Sequence, residues 1–211
     1  MQAAYAHAPD DASGPPERRS LVLRPANHPA RGEFEQFIGG IYARRFGAHV
    51  RSFAPTLVGL RNHDALVAAA GYRGAGSGRL YLERYLAEPV EAAVSKLAQA
   101  HVHRAAVVEV GHLAASRWGE GLTLVRLLAS HLVAEGFEWA VGTVTRELRP
   151  ALERLDARLL TLDKAEPSKL GDEAERWGSY YEHDPVVVAV DLRGALLRHA
   201  QRGRKRPGSS R

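Results

Sequence analysis

Residues 105–145, AAVVEVGHLAASRWGEGLTLVRLLASHLVAEGFEWAVGTVT, constrain the fold more than any other part of the chain. Apolar residues alternate up to Leu113, the period of a strand. Gly119 and Gly121 then bracket the start of a helix whose apolar face falls at Leu122, Val125, Leu128 and Leu132. Gly136 ends that helix before a second strand, Phe137-Glu138-Trp139-Ala140-Val141. A helix that opens on such a loop presents free backbone N–H groups and the positive end of its dipole, a ready anion site. The same spacing also serves an ordinary crossover that holds no ligand.

The flanking sequence surrounds this unit with further elements. Leu21-Val22-Leu23-Arg24 predicts a short strand. Phe34, Phe37, Ile38, Ile41, Tyr42 and Phe46 recur at helical spacing over residues 33–46. The Gly39-Gly40 pair in the middle of that helix predicts a kink or the close approach of another backbone. Residues 56–60 and 65–72 are β-like runs joined across Arg61-Asn62-His63-Asp64 as a hairpin. Gly74 to Gly78 reads as a flexible turn, and Pro89 opens a helix over 90–100. A helix over 147–155, a strand over 158–162, a loop or short helix over 167–176 and a β-branched strand over 185–192 complete the order β-α-β-β-α-β-α-β-α-β-β. That order predicts a single α+β domain with a mixed central sheet and helices on both faces.

Charge separates the ends from the fold. The chain has 211 residues and a net charge of +5, yet no acidic residue follows Asp191, where seven basic residues stand. Without those seven, 22 basic face 24 acidic residues. The ending GRKRPGSSR therefore reads as a solvated, disordered tail over 194–211, with no specific nucleic-acid partner expected. Residues 1–19, with Pro9, Gly14, Pro15 and Pro16, read as a disordered extension, which leaves a domain over 20–193. The extension lacks the apolar core of a secretory signal, and no apolar run approaches the roughly 18 residues of a membrane span, so the cytoplasm is the expected location. With no cysteine, a disulfide framework and a Cys-based metal site are excluded, and no metal is expected. A P-loop, a Gly-x-Ser-x-Gly elbow, a His-Glu-x-x-His helix and an acidic calcium loop are all absent from the sequence.

Four blocks carry a family resemblance. Phe53-Ala54-Pro55-Thr56-Leu57, Leu82-Glu83-Arg84-Tyr85-Leu86, Glu109-Val110-Gly111-His112-Leu113-Ala114 and Trp177-Gly178-Ser179-Tyr180-Tyr181 occur in the order seen in the thermostable haemolysin family. The resemblance spans roughly residues 34–192. That family in turn resembles the GNAT acyltransferase fold, closest to the acyl-homoserine-lactone synthases, and the helix over 90–100 resembles the synthase branch. The resemblance implies an N-acyltransferase whose donor is a pantetheine thioester, either acyl-CoA or an acyl-carrier protein, while the family name implies blood-cell lysis.

Glu109 is the first candidate for chemistry. It stands in a strand otherwise built of Ala and Val, and a carboxylate in apolar surroundings has a raised pKa and serves as a general base near neutrality. The lactone synthases carry a glutamate on the equivalent strand, within Glu-x-Ser-Arg; here Gly111 and His112 stand in the Ser and Arg places, so only the glutamate matches. The structural alternative is an ion pair with Arg104 or Arg117. His112, where the family usually has Asn, either assists proton transfer or hydrogen-bonds a loop carbonyl. Tyr181 is the candidate acid for the departing thiolate, beside a simpler reading as aromatic packing with Trp177 and Tyr180.

Binding candidates follow from the same resemblance. Ser116-Arg117-Trp118-Gly119-Glu120-Gly121 departs from the GNAT phosphate signature Gln/Arg-x-x-Gly-x-Gly/Ala in its first residue, and Glu120 adds a negative charge where pyrophosphate would sit. Leu113, Arg117, Gly119 and Gly121 are the candidate donor contacts, and the mismatch leaves room for an acyl-carrier protein as partner, with Arg44, Arg45, Arg51 and Arg73 facing it. Phe37, Tyr42, Phe46 and Glu83 are the candidate acceptor contacts. The rival reading is a membrane-active haemolysin, which needs a long amphipathic hairpin or an exposed amphipathic helix.

Overall fold

The computed structural model describes residues 19–204. Seven strands, β1 (Arg19–Pro25), β2 (Thr56–Asn62), β3 (Ala65–Gly74), β4 (Val107–Ala115), β5 (Trp139–Val144), β6 (Leu160–Lys164) and β7 (Val186–Asp191), form one sheet in the order β1-β2-β3-β4-β5-β7-β6. Every neighbouring pair is antiparallel except the central β4–β5 pair. The helices are α1 (Arg31–Phe46), α2 (Val90–Ala98), α3 (Trp118–Ala134), α4 (Arg149–Arg154) and α5 (Leu192–Arg204). The fold is the expected single α+β domain with helices on both faces of a mixed sheet.

The central pair is the feature that makes a site. Parallel pairing joins only Val107–Glu109 to Trp139–Val141, after which β4 stays with β3 and β5 stays with β7. A bulge bends β4 at this point: His112 and Leu113 both stand opposite Ala70, and His112 has φ 56°. An extra residue in one strand raises the local twist and turns the strand away from its neighbour. Gly142 sits at the fork, where a Cβ would come 2.6 Å from the Val110 carbonyl oxygen. Any larger residue there would force the strands apart before they pair.

Each face is packed by its own helices. On one face Phe34, Ile38, Tyr42 and Phe46, one turn apart on α1, bury against Leu57, Ala69, Ala114 and Tyr180. Beside them α2 and a 3-10 segment over 82–84 cover Val107, Val141 and Val187. On the other face Leu124, Leu128 and Leu132 of α3 bury against Val58, Leu60, Ala68 and Val108, and Leu152 of α4 against Val144 and Val188.

Three expectations are corrected. The Gly39-Gly40 pair neither interrupts α1 nor meets another backbone: a Cβ at Gly39 has nothing within 4 Å, and one at Gly40 meets only the Arg44 side chain. The expected disordered tail from 194 is helical to Arg204, because Leu192 and Ala195 bury while Arg202 and His199 pair with Asp156 at 3.1 and 3.4 Å. The strand expected over 158–162 runs instead over Leu160–Lys164, with a register shift against β7 between Thr161 and Asp163. The expected extension over 1–18 and the end over 205–211 lie outside the described residues, and Arg19 belongs to β1.

Candidate active site

Where β4 and β5 part, a cavity of about 860 Å³ opens through the sheet. On the α1 face it is lined by Tyr42, Arg73, Tyr85, Glu109, His112 and Tyr181, and on the α3 face by Val125, Leu128, Leu148, Leu152, Leu155 and Leu196. One end is polar and aromatic. The other is apolar and walled by α3, α4 and α5. The volume suits a small-molecule ligand.

Glu109 anchors the polar end. Its Oε2 accepts the N–H of Tyr81 at 2.8 Å and its Oε1 that of Leu82 at 2.9 Å. Neither of the two arginines expected as partners reaches it: Arg104 pairs instead with Glu83 and Glu91, each at 2.7 Å. Burial pushes the Glu109 carboxyl above its ordinary range, against the pull of the two amide hydrogen bonds and the positive charge of Arg73. Each oxygen of an ionised carboxylate has two acceptor sites, so both amide bonds leave acceptor capacity for a substrate.

His112 differs from its expected behaviour. Burial, reinforced by the charge of Arg31, pushes its pKa down to about 4, so the ring is neutral at pH 7. Its Nδ1 is buried without a partner, so that nitrogen bonds no loop carbonyl either. The bulge that gives the residue its positive φ sets the ring against Phe53 and Tyr42, with centroids 5.5 and 6.5 Å away.

The aromatic wall is built by a run of 3-10 turns over Pro167–His183, broken at Gly171 and Gly178, and the second glycine fits it to α1. Gly178 has φ 52°, and a Cβ there would overlap the Phe46 carbonyl oxygen. This close approach delivers Trp177, Tyr180 and Tyr181 to the site. The Tyr181 and Tyr85 hydroxyls share a 2.7 Å hydrogen bond, and burial raises the pKa of both, so both stay protonated at neutral pH. Trp177 Nε1 donates to the Tyr81 hydroxyl at 3.2 Å, which donates to Glu173 at 3.1 Å.

The cavity gathers most of the residues singled out in the sequence. Glu109, His112, Tyr181, Leu113, Arg117, Gly121, Tyr42 and Phe46 line it. Gly119, Phe37 and Glu83 do not. Phe37 packs beside the α1 cluster. Glu83 is a structural clasp: it accepts the N–H of Leu80 at 2.8 Å and of Val90 at 3.1 Å, and hydrogen bonds from Arg104 hold its carboxyl down at about 2. Of the four arginines expected to face a carrier protein, Arg44, Arg45 and Arg73 line the cavity and Arg51 does not. Arg79, Tyr85 and the α4 and α5 leucines are lining residues that sequence reasoning missed. A charge in an apolar strand, the signal that singled out Glu109, also marks Arg73 as a site residue.

A mixed sheet forked at its one parallel pair, with a cavity through the fork, defines the GNAT-like class of α+β folds. Among solved structures, the apo form of TofI matches with a TM-score of 0.61 at 12% identity, over 86% of this chain and 96% of that one. The acyl-homoserine-lactone synthase LasI matches with 0.57 at 10%, over 83% and 91%. FeeM, an N-acyl amino acid synthase from uncultured soil microbes, matches with 0.57 at 12%, over 84% and 93%. By sequence the chain belongs to the thermostable hemolysin family, whose model matches residues 24–196. No curated protein sequence matches it.

Proposed function

We propose that this protein is an N-acyltransferase that moves an acyl group from a pantetheine thioester to an amine. The observation that carries the reading is the cavity through the fork, with a carboxylate at its polar end and an apolar compartment behind. The acyl chain lies in the compartment walled by Leu148, Leu152, Leu155 and Leu196, and its thioester carbonyl stays at the fork. Glu109 takes a proton from the acceptor ammonium, the freed amine attacks the carbonyl, and as the C–S bond breaks the nitrogen gives its second proton to solvent, leaving the neutral amide. The Tyr85–Tyr181 pair supplies a proton to the departing thiolate and regains one from solvent. The pantetheine arm leaves past Arg117 and Gly121. Glu120, in the first turn of α3, favours a carrier-bound donor over one with a free pyrophosphate.

Lysis by direct membrane insertion has less to support it. The apolar faces of α1, α2, α3 and α4 are committed to the clusters described above, and Leu97 and Leu197 are the exposed large hydrophobics among the described residues. No helix among them is long and apolar enough to cross a membrane.

Purified protein offered acyl-CoA and acyl-carrier-protein thioesters with a panel of amines is expected to release thiol and to leave dye-loaded liposomes intact. Glu109→Gln is expected to slow that release roughly a hundred- to ten-thousand-fold. Prompt dye release by both proteins with no thioester consumed would replace this reading with the lytic one.

A further inference from the structure

We infer that the acceptor is an α-amino acid and that Arg73 binds its carboxylate, an inference that rests on the acyl-transfer reading. Arg73 and Glu109 are register partners across the antiparallel β3–β4 pair, so their side chains project to the same face about 5 Å apart at Cβ. Both line the cavity, and the positive charge of Arg73 is felt by Glu109. In an α-amino acid one carbon separates the carboxylate from the amine. A guanidinium and a carboxylate set side by side therefore match its two charged groups, the first as a fork on the carboxylate, the second on the ammonium.

The charge of the wall points the same way. Seven arginines and one carboxylate, Glu109, line the cavity. Elsewhere most of the partly buried arginines are paired, Arg104 with Glu83 and Glu91, Arg31 with Glu35, Arg61 with Glu33 and Arg149 with Asp184, while Arg24 packs over the Phe34 ring. Arg84 in the wall is held by Glu173. Arg73 instead makes one long hydrogen bond, 3.4 Å to the Arg79 carbonyl, and no ion pair among the described residues, so most of its donors are free. Arg44, Arg45 and Arg79 likewise line the cavity without an ion pair among the described residues. A cationic acceptor beside Glu109 would leave the Arg73 charge unanswered. An amino acid, carrying its own carboxylate, satisfies both partners at once. The tyrosines and Trp177 around this end suit an apolar or aromatic side chain.

The test pairs each amino acid with its decarboxylated amine, phenylalanine with phenethylamine and leucine with isoamylamine, and follows thiol release from octanoyl-CoA and an octanoyl carrier protein by full-length protein. The amino acid of a pair is expected to be about 100-fold better in kcat/KM. Arg73→Gln is expected to raise the KM for the amino acid by a similar factor, to leave the donor KM unchanged and to shrink the gap between amino acid and amine. Arg73→Lys should recover part of the loss, and unchanged melting temperatures would show that the fold is intact. Equal or better use of the bare amine overturns the inference while leaving acyl transfer standing, as does a rise in donor KM in Arg73→Gln, which would assign that arginine to the donor's phosphate. Absence of thiol release with every amine overturns acyl transfer itself.

Discussion

Two carboxylates grip the same stretch of backbone. Glu83 accepts the N–H groups of Leu80 and Val90, and Glu109 those of Tyr81 and Leu82. Glu83 is buried and Glu109 partly so, and each carries two amide bonds. Their acidities nevertheless diverge, Glu83 being held down at about 2 and Glu109 raised. Loss of water weighs most on Glu109, and the arginine weighs most on Glu83. Arg104 touches Glu83 through two nitrogens, at 2.7 and 3.0 Å, and compensates the loss of water, whereas Arg73 stands beside Glu109 without closing an ion pair. A buried carboxylate with a closed partner is a structural clasp. One with a partner held off keeps its charge costly and available for chemistry.

The largest expected effect is on the open site. Activity governed by Glu109 should rise with pH through an inflection above the ordinary glutamate value of 4.5, and Glu109→Gln should abolish that limb with a 10²- to 10⁴-fold loss in kcat/KM, roughly. Removing the Arg73 charge should move the inflection still higher, since that charge pulls the carboxyl down. Glu109→Gln also sets an amide NH₂ against one of two backbone N–H groups, costing about 1–3 kcal/mol. Rates should therefore be compared well below the melting temperature of the variant. A pH profile identical in wild type and Arg73→Gln would remove the electrostatic half of the comparison.

The closed clasp should respond in stability. Glu83→Gln leaves Arg104 with Glu91 and some solvent, so the expected loss is about 2–3 kcal/mol, below that of a fully buried pair. For a domain of this size that is roughly 4–12 °C in melting temperature. Because the folded-state pKa is depressed, the Glu83 contribution is complete above 4.5 and is lost as pH falls toward about 2, where wild type and variant should converge. Glu109 bends the curve the other way. Its raised pKa makes its contribution fullest below 4.5 and smaller as pH rises through the raised value. Equal melting of wild type and Glu83→Gln at pH 7 would break the contrast.

The sequence carried the element order and the exceptional place of Glu109, because periodicity and a lone charge among Ala and Val are local signals. It did not carry the fork. That depends on a bulge at His112 and a glycine contact at Gly142, which are tertiary facts. Nor did it show that Glu83 is a clasp rather than an acceptor contact: it sits in a block shared with the family, and only the fold brings Arg104 onto it. Helix α5 was hidden by its own composition. Its basic residues read as a solvated tail until Asp156 and the buried Leu192 are in place. Trp177-Gly178-Ser179-Tyr180-Tyr181 was visible as a motif, but its glycine is explained by the carbonyl of Phe46, far away in the chain.

The smallest effect sharpens the comparison within the clasp itself. Arg104 Nη1 donates to Glu83 and to Glu91 at the same 2.7 Å, yet the Glu91 side chain is 28% exposed against 7% for Glu83. The shortest distance is thus held constant while burial and the number of bonds, two from Arg104 to Glu83 against one to Glu91, change. Solvent already screens the outer pair, whose worth should be a few tenths of a kcal/mol, with a similar amount from the Glu91 charge in the first turn of α2. Glu91→Gln should therefore cost about 0.5–1 kcal/mol, or roughly 1–4 °C, a fraction of the Glu83→Gln loss, and 0.5 M salt should erase much of it. Activity should not change, since Glu91 is no part of the cavity wall. If Glu91→Gln proved as damaging as Glu83→Gln, geometry rather than burial would set the strength of the clasp, and the same correction would apply to the contrast between Glu83 and Glu109.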